Sequence, residues 1–312
     1  MDLRQAAYVV AVVDHGTFTA AAAAIPVSQP ALSQAIATLE RELGTELFHR
    51  LGRRVALTPA GEAFVEPARR MLRDAEVARA AVAEVAGLTA GRLDVVALPT
   101  LVADPLVGLV GRFRRAHPEV LVRIAEPEGA EAVAATVRSG QCELGLGDGT
   151  VADESLEVDR LGSQRVFAVL PPGTPLPAER PVPIARLAGF PLITTPRGTS
   201  TRRLLAQALR QAEPSDEPGD GVSDPGRAAP RIGVVTEHRE AIVPLVMSGA
   251  GAAILPEPLA RNAAALGASV APLSPALTRE VVLVRRPGAL SPAARAFRDL
   301  ALGRAAPIPA TH

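Results

Sequence analysis

The stretch Pro26-Val27-Ser28-Gln29-Pro30-Ala31-Leu32-Ser33-Gln34-Ala35-Ile36 decides how this chain is read. Pro26-Val27 makes a tight turn, Ser28 is a good N-cap, and Pro30 is tolerated in the first helical turn. Ala31, Leu32, Ala35, Ile36 and Leu39 then recur at inward-facing helical spacing, and the helix stops near Gly44. Upstream, Thr17 can cap a helix through Ala24, while Leu3, Ala6, Ala7, Val10 and Val13 mark another that ends at His15-Gly16. Two short helices joined by a turn of a few residues form a helix-turn-helix pattern. Downstream, Leu47–Arg50 and Arg53–Leu57 flank Leu51-Gly52 and read as a small β-hairpin with a basic tip.

A helix that enters a major groove needs short polar side chains on its N-terminal face. Ser28, Gln29, Pro30, Ser33 and Gln34 supply that face. Gln29 and Gln34 can pair with adenine edges, whereas Ser28 and Ser33 suit phosphate. Taken alone, the same face also reads as a capped, solvated helix. Arg50, Arg53 and Arg54 tip the balance, because a hairpin wing would set them on the DNA backbone or in the minor groove. Residues 1–60 carry equal numbers of arginines and acids, so this basic patch is local.

Composition removes much else. The 312 residues are 48% apolar and 21% charged, with 33 basic and 33 acidic side chains, as in a soluble chain of about two domains. Every basic residue is arginine, which excludes Schiff-base lysines, phosphate-binding loops of Walker type and the kinase lysine. Cys142 is the single cysteine, so disulfide frameworks and cysteine metal sites are ruled out and a reducing, cytoplasmic setting is expected. The 5 histidines are too scattered for a local metal motif, and no metal or cofactor is expected. No Trp and a single Tyr disfavour base-stacking single-strand binders. Neither a signal peptide nor a membrane span is read.

Residues 58–86 form one helical pattern: Thr58 caps, Pro59 opens, and Phe64, Ala68, Met71, Ala75, Ala78, Val82 and Val85 trace a three-heptad seam. The seam suits dimerisation; the alternative is a surface helix packed on its own domain. From Gly91 onward strands and helices alternate, the pattern of an α/β domain. Strands are expected near 92–98, 120–125, 143–147, 165–170, 191–195, 231–235, 252–255 and 281–285, and helices near 103–116, 129–139, 199–212, 238–248, 256–265 and 291–303. Residues 213–230, acidic and rich in Pro and Gly, read as a disordered surface insertion.

Gly16–Ala22, Val27–Ser33, Ile36, Leu39-Glu40, Leu43-Gly44, Leu47-Phe48, Arg50, Arg53-Arg54 and Leu57-Thr58-Pro59-Ala60-Gly61 together resemble the winged helix-turn-helix of LysR-type transcriptional regulators. The remainder, including Thr236–Ile242 and Gly249–Ala252, is similar to that family's effector domain. The resemblance implies a winged helix-turn-helix over 1–57, a linker and dimerisation helix with a hinge over 58–90, and an effector-binding domain over 91–312. That domain would have two doubly wound lobes like those of periplasmic binding proteins, about 91–162 with 268–304 and about 163–267, with crossings near 161–165 and 267–272. The implied partners are an interrupted DNA palindrome, further copies of the chain in a homodimer or homotetramer, and a small effector, with RNA polymerase left open and no membrane.

Open α/β sheets bind ligands at strand ends. Pro99-Thr100 ends one strand, and Thr194–Arg202 leads from a strand into a helix whose hydroxyls and N–H groups would suit an anion. Thr100, Thr195, Thr199, Ser200, Thr201 and His238 are therefore the candidate effector residues. The plainer alternative has Thr199 merely capping its helix. The rival to a regulator is an enzyme or small-molecule binder in the α/β lobes, with the N-terminal region only a dimerisation unit. No catalytic constellation supports it.

Overall fold

The computed structural model describes all residues except 52–53, 86–90, 152, 177–180, 213–230 and 305–312, and it describes 50–51, 54, 84–85 and 211–212 by their backbone alone. At the N-terminus, α1 (Leu3–His15) opens on a capping box between Asp2 and Gln5 and stops at Gly16. In α2 (Phe18–Ala24) the first turn is capped by Thr17, whose Oγ1 accepts from the Ala20 N–H at 3.0 Å. Ser28 does the same for α3 (Gln29–Leu43), accepting from the Ala31 N–H at 3.4 Å. Val9, Val12, Ala21, Leu32, Ile36, Leu39 and Phe48 form the core beneath these helices. The wing is an antiparallel pair, β1 (Phe48–Leu51) and β2 (Arg54–Leu57), with Phe48 opposite Leu57.

The long helix α4 (Pro59–Val85) continues through Pro67 at the cost of one i→i−4 bond. Its start is fixed against the wing: Thr58 Oγ1 donates to Glu46 O (2.7 Å) and accepts from the Gly61 N–H (3.0 Å). Gly61 is required there, because a Cβ would lie 2.1 Å from Leu47 O.

The C-terminal domain is built on one sheet of order β10-β6-β11-β5-β3-β4. Its strands are β3 (Gly91–Ala97), β4 (Val120–Ala125), β5 (Leu144–Asp148), β6 (Glu157–Leu170), β10 (Ala253–Pro256) and β11 (Ser269–Arg285). The short β7 (Val182–Pro183) joins β11, while β8 (Leu192–Thr194) and β9 (Ile232–Val235) pair in parallel. Helices α5 (Pro99–Leu101), α6 (Val107–Ala116), α7 (Ala130–Arg138), α8 (Ser200–Ala212), α9 (Ile242–Met247), α10 (Glu257–Ala265) and α11 (Pro292–Ala301) cover it. One lobe packs around Leu93, Val95, Leu144, Leu146, Phe113 and Phe297; the other has cores around Leu187, Leu205 and Leu277, and around Val246 and Leu255.

The structure departs from expectation in the connections. The strands expected at 165–170 and 281–285 are the ends of β6 and β11, which form one antiparallel ribbon through both lobes. The second crossing falls at about 277–281, opposite Gly162–Val166, rather than at 267–272. Leu273 and Leu277 still belong to the second lobe's core, and Val281 is the first residue of this strand to join the other. The expected helix 103–116 is interrupted at Asp104, whose φ of −159° and ψ of 122° are extended. That expected at 238–248 reduces to a 3₁₀ turn, Arg239–Ala241, followed by α9. The acidic insertion 213–230 and hinge residues 87–90 lie outside the described residues.

Candidate functional site

On α3, Leu32, Ile36 and Leu39 are fully buried, which turns the opposite face outward. Ser28, Gln29, Pro30 and Gln34 are exposed there, and Ser33 is half-buried beside them. Ser28 is engaged as the cap, which uses one lone pair and leaves its hydroxyl its donor proton and a second lone pair for another partner. Glu40 binds the helix to the wing, its Oε1 accepting from the Leu47 and Phe48 N–H groups at 2.8 and 3.3 Å. The backbones of Arg50 and Arg54 sit in β1 and β2, opposite Val55 and Leu51, while Arg53 lies outside the described residues.

The linker helix is held by its own chain on two sides. Arg69 donates to Asp14 of α1 through both terminal nitrogens. One turn later, Arg73 inserts into the first lobe, donating to Asp94 (2.8 Å), Gln141 O (2.9 Å) and Gly140 O (3.3 Å). Burial is the largest single influence and opposes the Arg73 charge, but the hydrogen bond and charge of Asp94, with the charges of Glu76 and Glu143, together raise the guanidinium pKa. Of the apolar seam, Ala68 is buried within the chain, Phe64, Met71 and Ala75 are half-buried, and Ala78 and Val82 are exposed. The Val85 side chain lies outside the description.

Between the lobes the structure gathers hydroxyls. Thr100, Thr194, Thr195, Thr199, Ser200 and Thr201 are all buried. Thr100 Oγ1 of the first lobe faces Ser200 Oγ of the second at 3.4 Å. Thr195 and Thr199 pair at 2.5 Å, and Thr199 also caps α8 by accepting from the Arg202 N–H at 3.3 Å. Thr194 Oγ1 and Thr201 Oγ1 are buried and have no hydrogen-bond partner among the described residues. His238 does not join this group: its side chain is 79% exposed and lies beside Glu240. Its neighbour Arg239 spans the lobes instead, donating to both carboxylate oxygens of Glu128 at 2.6 and 2.7 Å. That bidentate bond holds the Glu128 carboxyl below its ordinary pKa. A second bridge joins Arg203 of α8 to Asp148 of β5 at 3.0 Å.

Arg279 of β11 completes the seam. It is buried, donates from Nη1 to Thr100 Oγ1 (2.6 Å), and gives Nε and Nη2 to the same Gln164 Oε1, with the Nε bond at 2.7 Å. Gln164 Nε2 in turn donates to Asp104 Oδ2 at 2.6 Å. Desolvation pulls the Arg279 pKa down to about 10, more than Asp148 and Asp104 restore. Cys142 is buried elsewhere, in the first lobe, where burial pushes its thiol up to about 12. It is unreactive.

Residues 3–62 match the family model described as a bacterial regulatory helix-turn-helix protein of the lysR family, and residues 86–306 match the LysR substrate binding domain. The chain belongs to the LysR family. It is 33% identical to the "SDS degradation transcriptional activation protein" of a Pseudomonas species over 99% of this chain and 98% of that one. With the HTH-type transcriptional regulator TfdS of Cupriavidus pinatubonensis it shares 30% identity over 83% of this chain and 84% of that one. In fold it is similar to full-length OxyR from Pseudomonas aeruginosa (TM-score 0.74, 24% identity, covering 96% of this chain and 93% of that one). It is also similar to full-length CbnR complexed with its target DNA (TM-score 0.64, 22% identity, covering 98% and 100%).

As a LysR-family member the chain is a transcriptional regulator, with a helix-turn-helix DNA-binding domain and a C-terminal domain for a small-molecule effector. No single helix among the described residues is long and apolar enough to cross a membrane. Sequence reasoning missed the charged residues of the lobe seam and the linker clamp. Arg279 left one trace: it takes an inward position, between Leu277 and Val281, in an alternating strand.

Proposed function

We propose that this regulator reads an interrupted palindrome with two copies of α3 and responds to an effector bound between its lobes. Gln29 and Gln34 would read bases, Ser28, Pro30 and Ser33 would line the groove, and Arg50, Arg53 and Arg54 would track the backbone or minor groove. Dimerisation would use the exposed part of the α4 seam around Ala78 and Val82. The chain would act without turnover, in the cytoplasm. The observation that carries the effector assignment is Thr100 facing Ser200 across the lobes inside a buried hydroxyl cluster. A ligand there touches both lobes, so it binds their closed and open arrangements with different affinity, which is what shifts an equilibrium.

The test is selection of DNA fragments by the full chain, repeated with a metabolite panel. Two half-sites with a spacer are expected, together with a compound whose effect is lost in the double variant Thr100→Val, Ser200→Ala while unliganded DNA binding persists. A single undivided site would refute the paired reading, and an undiminished response in the double variant would move the effector elsewhere.

A further inference from the structure

We infer that the effector is a carboxylate and that Arg279 is its anchor; this rests on the inter-lobe reading above. The three partner contacts of Arg279 end on two neutral oxygens, those of Gln164 and Thr100. A guanidinium has five N–H groups. These bonds occupy three of them and, among the described residues, leave one on each terminal nitrogen, charged donors of the kind that a carboxylate accepts.

The charges around the seam leave room for one more negative charge. Arg203 is matched by Asp148 and Arg239 by Glu128. The Asp104 carboxylate reaches Arg279 only through the Gln164 amide. Burying a guanidinium without an anion in contact is costly, and here the desolvation outweighs the attraction of the nearby carboxylates. A singly charged carboxylate would balance the site, whereas a doubly charged phosphate would exceed it. The orphaned hydroxyls of Thr194 and Thr201 lie on the segment that also carries Ser200, the residue that faces Thr100. They supply donors for the remaining lone pairs of such a group.

The probes are acetate, hexanoate and benzoate, each beside its neutral amide, with sulfate as a further arm. The readout is thermal stabilisation of the full-length protein at constant ionic strength. At least one carboxylate should stabilise the wild type saturably while its amide does not. Arg279→Gln should weaken that binding tenfold or more, and Arg279→Lys should retain part of it, since the charge stays but the fork is lost. The charge-conserving pair Asp104→Asn with Gln164→Glu keeps Arg279 but moves a protein carboxylate onto it, and should also cost tenfold or more. That pair decides the matter if Arg279→Gln fails to fold.

No response to any carboxylate, an equal response to the amides, a response to sulfate alone, or undiminished binding in these variants would overturn the role of Arg279. The inter-lobe site stands or falls separately. Binding that survives Arg279→Gln but is lost with Thr100→Val and Ser200→Ala keeps the cleft and removes the anchor. Binding untouched by either change removes both.

Discussion

Replacing Arg73 by methionine tests whether the linker helix is truly clamped to the effector domain. The side chains of Arg73 and Asp94 are only 6% and 8% exposed. Breaking a buried pair by removing one partner costs about 3–5 kcal/mol, because the other charge stays behind. Asp94 retains Arg92 at 2.8 Å, but that arginine is 41% exposed and partly screened. The carbonyls of Gly140 and Gln141 lose their donor as well. The retained Arg92 contact pulls the loss to the lower end of that range, and the two stranded carbonyls keep it from falling further, at about 3 kcal/mol. Urea unfolding of the full chain gives the magnitude, and hydrogen exchange locates it. The amides of β3 and the middle of α4 should lose protection while those of α8 and α10 do not. Adding Asp94→Asn removes the stranded charge and should recover about half of the loss. A single-variant cost below about 1 kcal/mol, or no recovery in the double variant, would show that α4 is not fastened here.

Three further outcomes follow from the geometry. Gly61→Ala drives a Cβ to 2.1 Å from Leu47 O, so the α4–wing junction must shift; a loss of about 2 kcal/mol or more is expected in the melting of the 1–85 region. Gln29→Ala should relax base preference at one position per half-site by about 1–3 kcal/mol, whereas Arg54→Ala should weaken all sequences alike and flatten the salt dependence, both read from binding to a randomised operator library. The Glu128 carboxyl is held below its ordinary 4.5 by Arg239, so the lobe bridge contributes fully above that value and is lost as pH falls through the depressed one. Small-angle scattering should therefore show the lobes loosening below about pH 4.5, and Glu128→Gln should abolish that transition.

The local parts of the fold were legible because their causes are local. Thr17, Ser28 and Thr58 cap helices with side chains only three residues from the N–H they bind, and Gly16 and Gly44 stop helices through their own left-handed φ. The hydroxyls around the cleft were legible for a related reason: strand ends and helix starts fall where an α/β sheet binds ligands. What could not be read is long-range. Arg279 meets Thr100 across 179 positions and Gln164 across 115, and Arg73 meets Gly140 across 67. Nothing in the neighbours of an arginine tells which distant carbonyl or hydroxyl will receive it. The ribbon of β6 and β11 was underestimated because Gly162, Arg165, Pro272 and Pro275 break up its apolar pattern. Pairing along its length supplies the order that composition does not.

Arg69 and Arg73 stand one helical turn apart and grip opposite neighbours, one the reading head and the other the first lobe. Head, linker and first lobe are thereby riveted into a single strut. Among the described residues of one chain, then, these contacts leave movement of the second lobe no joint through which to tilt the reading head. An effector signal has to be expressed as a change in how one strut is set against that of another copy. On this geometry a lone subunit is a deaf reader: it would hold a half-site equally well with and without effector, and responsiveness would arise only with assembly.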